Sequence, residues 1–332
     1  MAITIKDVAK RSGVSISTVS RVINNSKPVS SDIRQRVMAV IDETGYVPNT
    51  VARSLVTKKS QVIGVIVPDM SNIFIGELLN GIEEVGKMYG YDILLCNSYG
   101  GAEEELRYIN LLQSKQVAGI IFVSWRIEDK HVQTIKNTGL PCVYISKNAK
   151  DFDVYSVGID YYKAAYEMTN YLVSKGHKSI AFLRSRFEYT NEESDRFNAF
   201  KNALDEHGLK IDYDMVKAGH ITSESGYNMM CEILDSGKRP DAVFATNDET
   251  AAGAINCILD RGLRVPEDIS VAGFDDTRVA TLIRPTVTTI RQPIYDIGAV
   301  SIRMIIKMIK KETIDAKVVD LPYELVERKS VK

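Results

Sequence analysis

The chain has 332 residues, 45% hydrophobic and 26% charged, with a formal net charge of −1. That is the profile of an ordinary globular protein, long enough for two or three domains, and it excludes a low-complexity or fibrous chain. The charge is uneven: residues 1–60 carry ten Lys or Arg against four Asp or Glu, a net +6 on a remainder of −7, which points to a polyanion partner at one end only. The opening MAITIKDVAK has no apolar signal region and no run approaches 18 apolar residues, so the expected location is cytoplasmic, with no membrane partner. Cys96, Cys142, Cys231 and Cys257 are far apart and form no CxxC pair, so buried free thiols are expected, with neither a zinc site nor a disulfide framework.

Residues 4–24, TIKDVAKRSGVSISTVSRVIN, read as two short helices around a tight turn. Thr4 caps the first, with Asp7 in capping-box position, and Gly13 turns the chain with φ > 0. Ser15 caps the second, in which Val19, Val22 and Ile23 share one side. Ile16, Ser17, Ser20, Arg21 and Asn24 are left on the other, a set of small or hydrogen-bonding groups with one cation, as a helix entering a DNA major groove requires. Ser30 or Ser31 starts a third helix to about Thr44, with Ile33, Val37, Val40 and Ile41 as its inner stripe and Gly45 as its end. Three helices in about 45 residues have a small core. Asn49 then caps a short apolar segment, TVARSLV, too short to be a stable helix alone; it is either an ordinary linker or a helix that forms only when something packs on it.

From Gln61 short apolar runs alternate with helical patterns. The runs lie at 62–67, 92–96, 119–123, 142–145, 155–159, 179–183, 242–246 and 270–274, with helices at 73–88, 103–115, 162–175, 195–207, 223–235 and 249–261. This alternation predicts parallel sheets covered on both faces, in two lobes of four to six strands that meet near residues 159–160. A strand at 287–291, an amphipathic helix at 294–310 and one or two last strands complete the chain.

No catalytic constellation stands out: the four histidines are scattered, and there is no HExxH pair, GxSxG elbow or Walker loop, so an enzyme is not expected and no cofactor or metal is implied. Ligands bind doubly wound sheets at the strand ends. The candidates there are Asp69, Ser71, Asn72, Asp160, Asn247, Asp248 and Asp275, with Arg196 near a helix start; each is either a cap or turn residue or part of a polar cleft for hydroxyl-rich ligands. On the helix at 294–310, Ile294, Ile297, Ile305 and Met308 point inward. Asp296, Ala299, Val300, Arg303, Lys307 and Lys310 form another stripe, which is either a solvated face or a docking face whose Arg303 and Lys307, one turn apart, hold a phosphate.

TIKDVAKRSGVSISTVSRVIN followed by GYVPNTVARSL resembles the signature of the LacI/GalR family of bacterial transcription regulators. VPDMSNIF, ATNDETAAGAI, GFDDT and IRPTVTTIRQP resemble that family's body, which is similar to periplasmic sugar-binding proteins, so the resemblance covers essentially the whole chain. It implies an α/β fold: a small all-α helix-turn-helix head (1–48), a hinge helix and linker (49–60) and a two-lobed doubly wound parallel α/β body (61–332). The amino-terminal lobe would take 61–159 plus 291–320, and the carboxy-terminal lobe 160–290 plus 321–332.

The same resemblance implies a homodimeric repressor on pseudo-palindromic operator DNA. Thr4, Ser15, Ile16, Ser17, Thr18, Ser20, Arg21, Asn24, Tyr46, Asn49, Ala52, Arg53 and Leu55 would contact DNA, with Leu55 as a minor-groove wedge. RQPIYDIGAVSIRMIIKMIKKET, with Tyr89 and Tyr91 elsewhere, resembles the family's carbon-catabolite-control branch, whose corepressor is the phosphocarrier HPr bearing a seryl phosphate. Tyr89, Tyr295, Asp296, Ala299, Val300, Arg303 and Lys307 match that contact. The alternative is a family member controlled by a small sugar or nucleobase in the cleft. Arg196 is kept there, consistent with a sugar phosphate, although Ala199 stands where small-effector members often have Gly.

Overall fold

The structure is a computed structural model that describes residues 3–25, 27–46, 60–125, 127–145, 152–185 and 191–332, with the backbone alone at 24 and 191–194. The segment read as a possible hinge helix, with Asn49, Ala52, Arg53 and Leu55, lies outside the described residues. The chain divides into two units, residues 1–60 and 61–332.

In the first unit α1 (Ile5–Ser12), α2 (Ile16–Asn24) and α3 (Ser31–Thr44) enclose a small core. The Asp7 carboxylate accepts the Thr4 N–H at 2.9 Å and the Thr4 hydroxyl at 2.7 Å, and these bonds hold its pKa below the usual range. Gly13 turns the chain in the left-handed region at φ 69°. Ser15 Oγ accepts the Thr18 N–H at 3.1 Å and so caps α2. Val8, Ala9, Val19, Val22 and Val37 are buried together, with Ile33, Val40 and Ile41 half-buried around them. The expected inner stripes are therefore the ones that pack.

In the second unit β1 (Val62–Val67), β2 (Asp92–Asn97), β3 (Gly119–Val123), β4 (Cys142–Ile145) and β5 (Tyr155–Gly158) alternate with α4 (Ile73–Met88), α5 (Ala102–Ser114) and α6 (Asp129–Thr138). The chain continues through α7 (Tyr161–Ser174), β6 (Ile180–Ser185), α8 (Asn191–Glu206), β7 (Val216–Gly219), α9 (Ser223–Asp235), β8 (Ala242–Ala245), α10 (Asp248–Asp260), β9 (Ser270–Ala272) and α11 (Arg278–Leu282). It ends with β10 (Thr289–Arg291), α12 (Ile294–Lys310), β11 (Val318–Asp320) and β12 (Glu324–Val326).

One parallel sheet has the order β11-β5-β4-β3-β1-β2 and the other β7-β6-β8-β9, while β10 and β12 form a separate antiparallel pair. The late strand β11 thus returns to the edge of the first sheet. Both faces of the sheets are apolar. Ile63, Val65 and Val67 enter one core, whereas Ile66, Ile120 and Phe122 enter another on the opposite face. Such strands read as unbroken apolar runs rather than alternating ones.

Three elements escaped the sequence reading. The strand β7, VKAG, is mostly half-exposed and carries no apolar run. The helix α6, DKHVQTIKNT, turns only His131, Val132 and Ile135 inward, and α11 spans five residues. The expectation of four free thiols is corrected: Cys96 and Cys142 are free and buried, but Cys231 and Cys257 form a disulfide. These two are 26 residues apart in sequence, and only the side-by-side packing of α9 and α10 brings them together.

Two local features hold the lobes. At the crossing of α4 and α12, a Cβ on Gly81 would strike the Tyr295 carbonyl oxygen and one on Gly298 the Leu78 carbonyl oxygen, so the helices meet backbone to backbone. In the second lobe, Asp248 is fully buried at the start of α10. Its Oδ1 accepts the Thr289 hydroxyl at 2.7 Å, and its Oδ2 accepts the Thr277 N–H at 2.7 Å and hydroxyl at 3.1 Å. One carboxylate thereby ties α10 to the start of α11 and to β10.

Gly81→Ala should lower the unfolding free energy in urea titration by about 1–3 kcal/mol, the usual cost of overpacking a close helix contact. Burial pushes the Asp248 carboxyl up to about 7, against the opposing effect of its Thr289 and Thr277 hydrogen bonds. A folded-state value above the unfolded one means the native state holds a proton that the unfolded chain has released, between about pH 4 and 7. Its contribution is complete below that window and is lost as pH rises through about 7. Asp248→Asn should flatten this component, read as a smaller fall in unfolding free energy from pH 4 to 7.5 than in the parent protein.

Candidate functional site

The first candidate surface is the outward side of α2. Ile16 is 43% exposed despite being apolar, and Ser17 and Arg21 are exposed beside it. Val19 and Val22 turn into the core, so the period of 3.6 alone fixes which side faces out. Ser15 Oγ also shares hydrogen bonds with Ser17 Oγ at 2.7 Å and Thr18 Oγ1 at 2.9 Å, which positions the first turn. Thr4 is exposed, and Ser20 and Tyr46 are half-buried; of Asn24 only the backbone is described. The sequence reading missed one contact: Arg34 donates to Asn25 Oδ1 at 2.7 Å, bracing the left-handed residue that ends α2. Exposed serines at the start of α2 and an arginine in its last turn can take phosphates and base edges.

The second candidate is the cleft between the sheets. In each sheet the strand order reverses between two neighbours, β1 and β3 in one and β6 and β8 in the other, so the loops that follow diverge and leave a crevice. Asn72 follows β1, Ser124 and Trp125 follow β3, and Thr246 and Asn247 follow β8; all of them line one cavity. Tyr161, Arg196, Asp275 and Gln292 complete its wall. Arg196 is buried, its Nη1 donates to the Thr246 carbonyl at 3.2 Å, and its guanidinium lies 5.4 and 4.9 Å from the Tyr161 and Phe274 ring centres. Asp275 accepts the Gln292 amide at 2.6 Å.

The strand-end residues divide between these two roles. Asn72 and Asn247 both cap helices and line the cavity, accepting the Ile75 N–H at 3.3 Å and the Thr250 N–H at 2.8 Å. Asp69 accepts the Ser71 N–H and hydroxyl; Asp69 borders a neighbouring recess with Tyr99 and His220, and Ser71 another with Arg278. One assignment to the cleft is corrected: Asp248 points into its own lobe, as described above. Asp160 caps α7 through the Lys163 N–H at 3.1 Å, and the next residue, Tyr161, lines the cavity. Both sit at helix starts, where Asp is a common residue whatever lies beyond. Ser124, Trp125, Thr246 and Gln292 were missed; the strand-end rule that found Asn72 applies to the first three, whereas Gln292 follows β10, outside the parallel sheets.

The third candidate is the outer face of α12. Ile294, Ile297 and Ile305 are buried as expected. Asp296 and Arg303 are exposed, and Val300 and Lys307 half-exposed. Tyr295 donates to Glu84 at 2.7 Å, which pushes its phenol pKa up, and the Lys310 ammonium lies 5.3 Å from the exposed Tyr89 ring. Val300, Arg303, Met304, Lys307, Ile314 and Val319 line a groove of about 270 Å³. Ala299 is corrected: it is 3% exposed, pressed against α4 beside Gly81, and belongs to the helix–helix contact rather than to the outer face.

No group of three His, Cys, Asp or Glu able to hold a metal occurs among the described residues, and no described helix is long and apolar enough to cross a membrane. Residues 4–49 match the family model described as bacterial regulatory proteins, lacI family, and residues 169–331 match that of a periplasmic binding protein-like domain. The chain is 41% identical over 332 residues to catabolite control protein A of Priestia megaterium, covering 100% of each chain. It is 40% identical over 330 residues to the HTH-type transcriptional regulator RegA of Clostridium saccharobutylicum, covering 99% of each. Among solved structures, the lac repressor dimer bound to operator and an anti-inducer gives a TM-score of 0.91 at 26% identity over 99% of each chain. The regulator CcpA of Lactococcus lactis gives 0.76 at 29% identity, covering 82% of this chain and 100% of that one. With a full-length relative at this identity and a helical head that presents its second helix outward, the chain belongs to the LacI family of bacterial transcription regulators, and it is a DNA-binding regulator rather than an enzyme.

Proposed function

We propose that this protein is a homodimeric carbon-catabolite regulator that binds pseudo-palindromic operator DNA with seryl-phosphorylated HPr as corepressor. The observation that carries the reading is the outer face of α12, where exposed Arg303 and half-exposed Lys307, the latter 3.7 Å from Asp315, stand one turn apart beside a groove with Val300, Ile314 and Val319 in its wall. Two cations at that spacing suit a phosphoserine, and the groove suits an apolar side chain next to it. Kinship with the catabolite control protein A of Priestia megaterium supports the same reading. At the other end, α2 of each subunit would enter one major-groove half-site, with Ser15, Ile16, Ser17, Thr18, Ser20 and Arg21 at the DNA and Arg21 on a guanine. Residues 49–56 would fold as a hinge helix in the complex, and Leu55 from each subunit would wedge into the minor groove and kink the duplex. A corepressor that favours the arrangement competent for DNA raises operator affinity by the factor by which DNA raises its own.

Arg196 in the cleft favours a second ligand, a sugar phosphate or another small hydroxylated anion. The alternative in which a sugar or nucleobase is the sole effector differs in its outcome by calorimetry: a metabolite panel would bind with operator-linked affinity while phosphorylated HPr would not.

Replacing both Arg303 and Lys307 by Ala should abolish the rise in operator affinity produced by phosphorylated HPr and leave affinity without it unchanged, measured by fluorescence anisotropy; a retained rise would place the corepressor elsewhere. Leu55→Ala should weaken specific binding by about tenfold or more, roughly 1.4 kcal/mol, and reduce the bend read from gel mobility or energy transfer. Unchanged affinity and bend would remove the wedge.

A further inference from the structure

Cys231 on α9 and Cys257 on α10 are bridged, with Cα atoms 6.0 Å apart. A permanent bridge is out of place in a regulator that works on DNA, where small thiols keep cysteines reduced. The seam between these helices is nevertheless built without it. A Cβ on Gly226 would strike the Thr250 backbone and one on Gly253 the Ser223 carbonyl oxygen, so the helices touch backbone to backbone at their starts. Farther along, the Tyr227 hydroxyl donates to Asp260 at 3.1 Å, and Arg261 holds both carboxylate oxygens of Asp235. Packing and polar ties therefore keep the two sulfurs within reach whether or not they are bonded.

The pair is also asymmetric. Cys231 is half-buried, whereas Cys257 is fully buried beneath it. A small reagent can meet the first and leave the second to resolve. Cys96 and Cys142 are free, buried in the other lobe and held as thiols by burial, which pushes their pKa values up.

We propose that Cys231 and Cys257 form a reversible redox site, oxidised by a low-molecular-weight disulfide, that staples α9 to α10. The Cys231 thiolate attacks one sulfur of the small disulfide, forming a mixed disulfide and expelling one thiolate. The Cys257 thiolate then attacks Cys231 Sγ, forming the protein bridge and expelling the second. The two cysteines together lose two electrons, the small disulfide is reduced to two thiols, and the two cysteine protons end on those thiols. The staple joins the two helices that start directly after Thr222 and Asn247, residues that line recesses of the cleft.

The test equilibrates the full-length protein in glutathione buffers from fully reduced to fully oxidised. After acid quench, denaturation and alkylation, thiols are counted by mass spectrometry. Four alkylated cysteines are expected at the reducing end and two at the oxidising end. Peptide mapping should assign the bridge to Cys231 and Cys257, and returning the sample to reduced glutathione should restore four. Cys231→Ser should give three alkylatable thiols at every poise. Four free thiols throughout, a bridge between other cysteines, or a bridge that survives the reducing end would each overturn the proposal, and the parent protein alone decides among these outcomes.

Discussion

The body rests on a place where two helices touch without side chains between them. Gly81 of α4 and Gly298 of α12 leave room for the facing carbonyl oxygens of Tyr295 and Leu78. The chain needs this contact because it leaves the second lobe through β10 and must return to add β11 to the edge of the first sheet. The helix that makes the return is therefore pinned both along its axis and about it. Once Ile294, Ile297 and Ile305 are turned inward, Asp296, Val300, Arg303 and Lys307 have to look outward, because each residue advances about 100°. The same geometry takes Ala299 out of the exposed stripe. A surface read as one band of six residues is an exposed band with a buried edge.

The cleft has a comparable logic. Parallel strands aim their carboxyl ends at one rim, and the reversal of strand order parts the loops there. Helix starts cluster at this rim, and their free N–H groups attract Asn and Asp. Several polar residues at the rim are thus engaged in capping: Asn72 and Asn247 both cap and line the cavity, and Asp160 caps α7. Asp248 goes further, since its three donors come from two other elements, and it acts as an internal tie. Arg196 comes from the helix that follows β6 and is held over aromatic rings, so its charge reaches the cleft from a largely apolar setting.

The head stands at the opposite extreme of size. Five small or medium apolar residues form its buried centre, and ordering about forty residues around so small a core leaves little surplus stability. Its net charge of +6 suits a polyanion partner. A unit of this kind suits an output element, stable enough to hold α2 in shape and dependent on its partner for the rest. The larger body, by contrast, buries extensive apolar cores on both faces of its sheets.

Much of the fold was legible in the sequence, because the repeat of apolar residues reports directly on which side of each element is buried. The buried runs of β1, β3 and β4, the helices α4, α9 and α12 and the caps Thr4, Ser15 and Gly13 could all be placed from spacing and residue type. Elements without an apolar period, β7 and α6, could not. The outward face of α2 was equally readable, since about 100° per residue puts Val19 and Val22 on one side and Ser17 and Arg21 on the opposite one. What only tertiary structure decided is everything that depends on two distant segments meeting: the bridge between Cys231 and Cys257, the tie from Asp248 to Thr277 and Thr289, the burial of Ala299, and the part of Gln292 in the cleft wall. Periodicity describes an element against an unspecified interior. Which residue of another element fills that interior is set by long-range packing, and no local pattern encodes it.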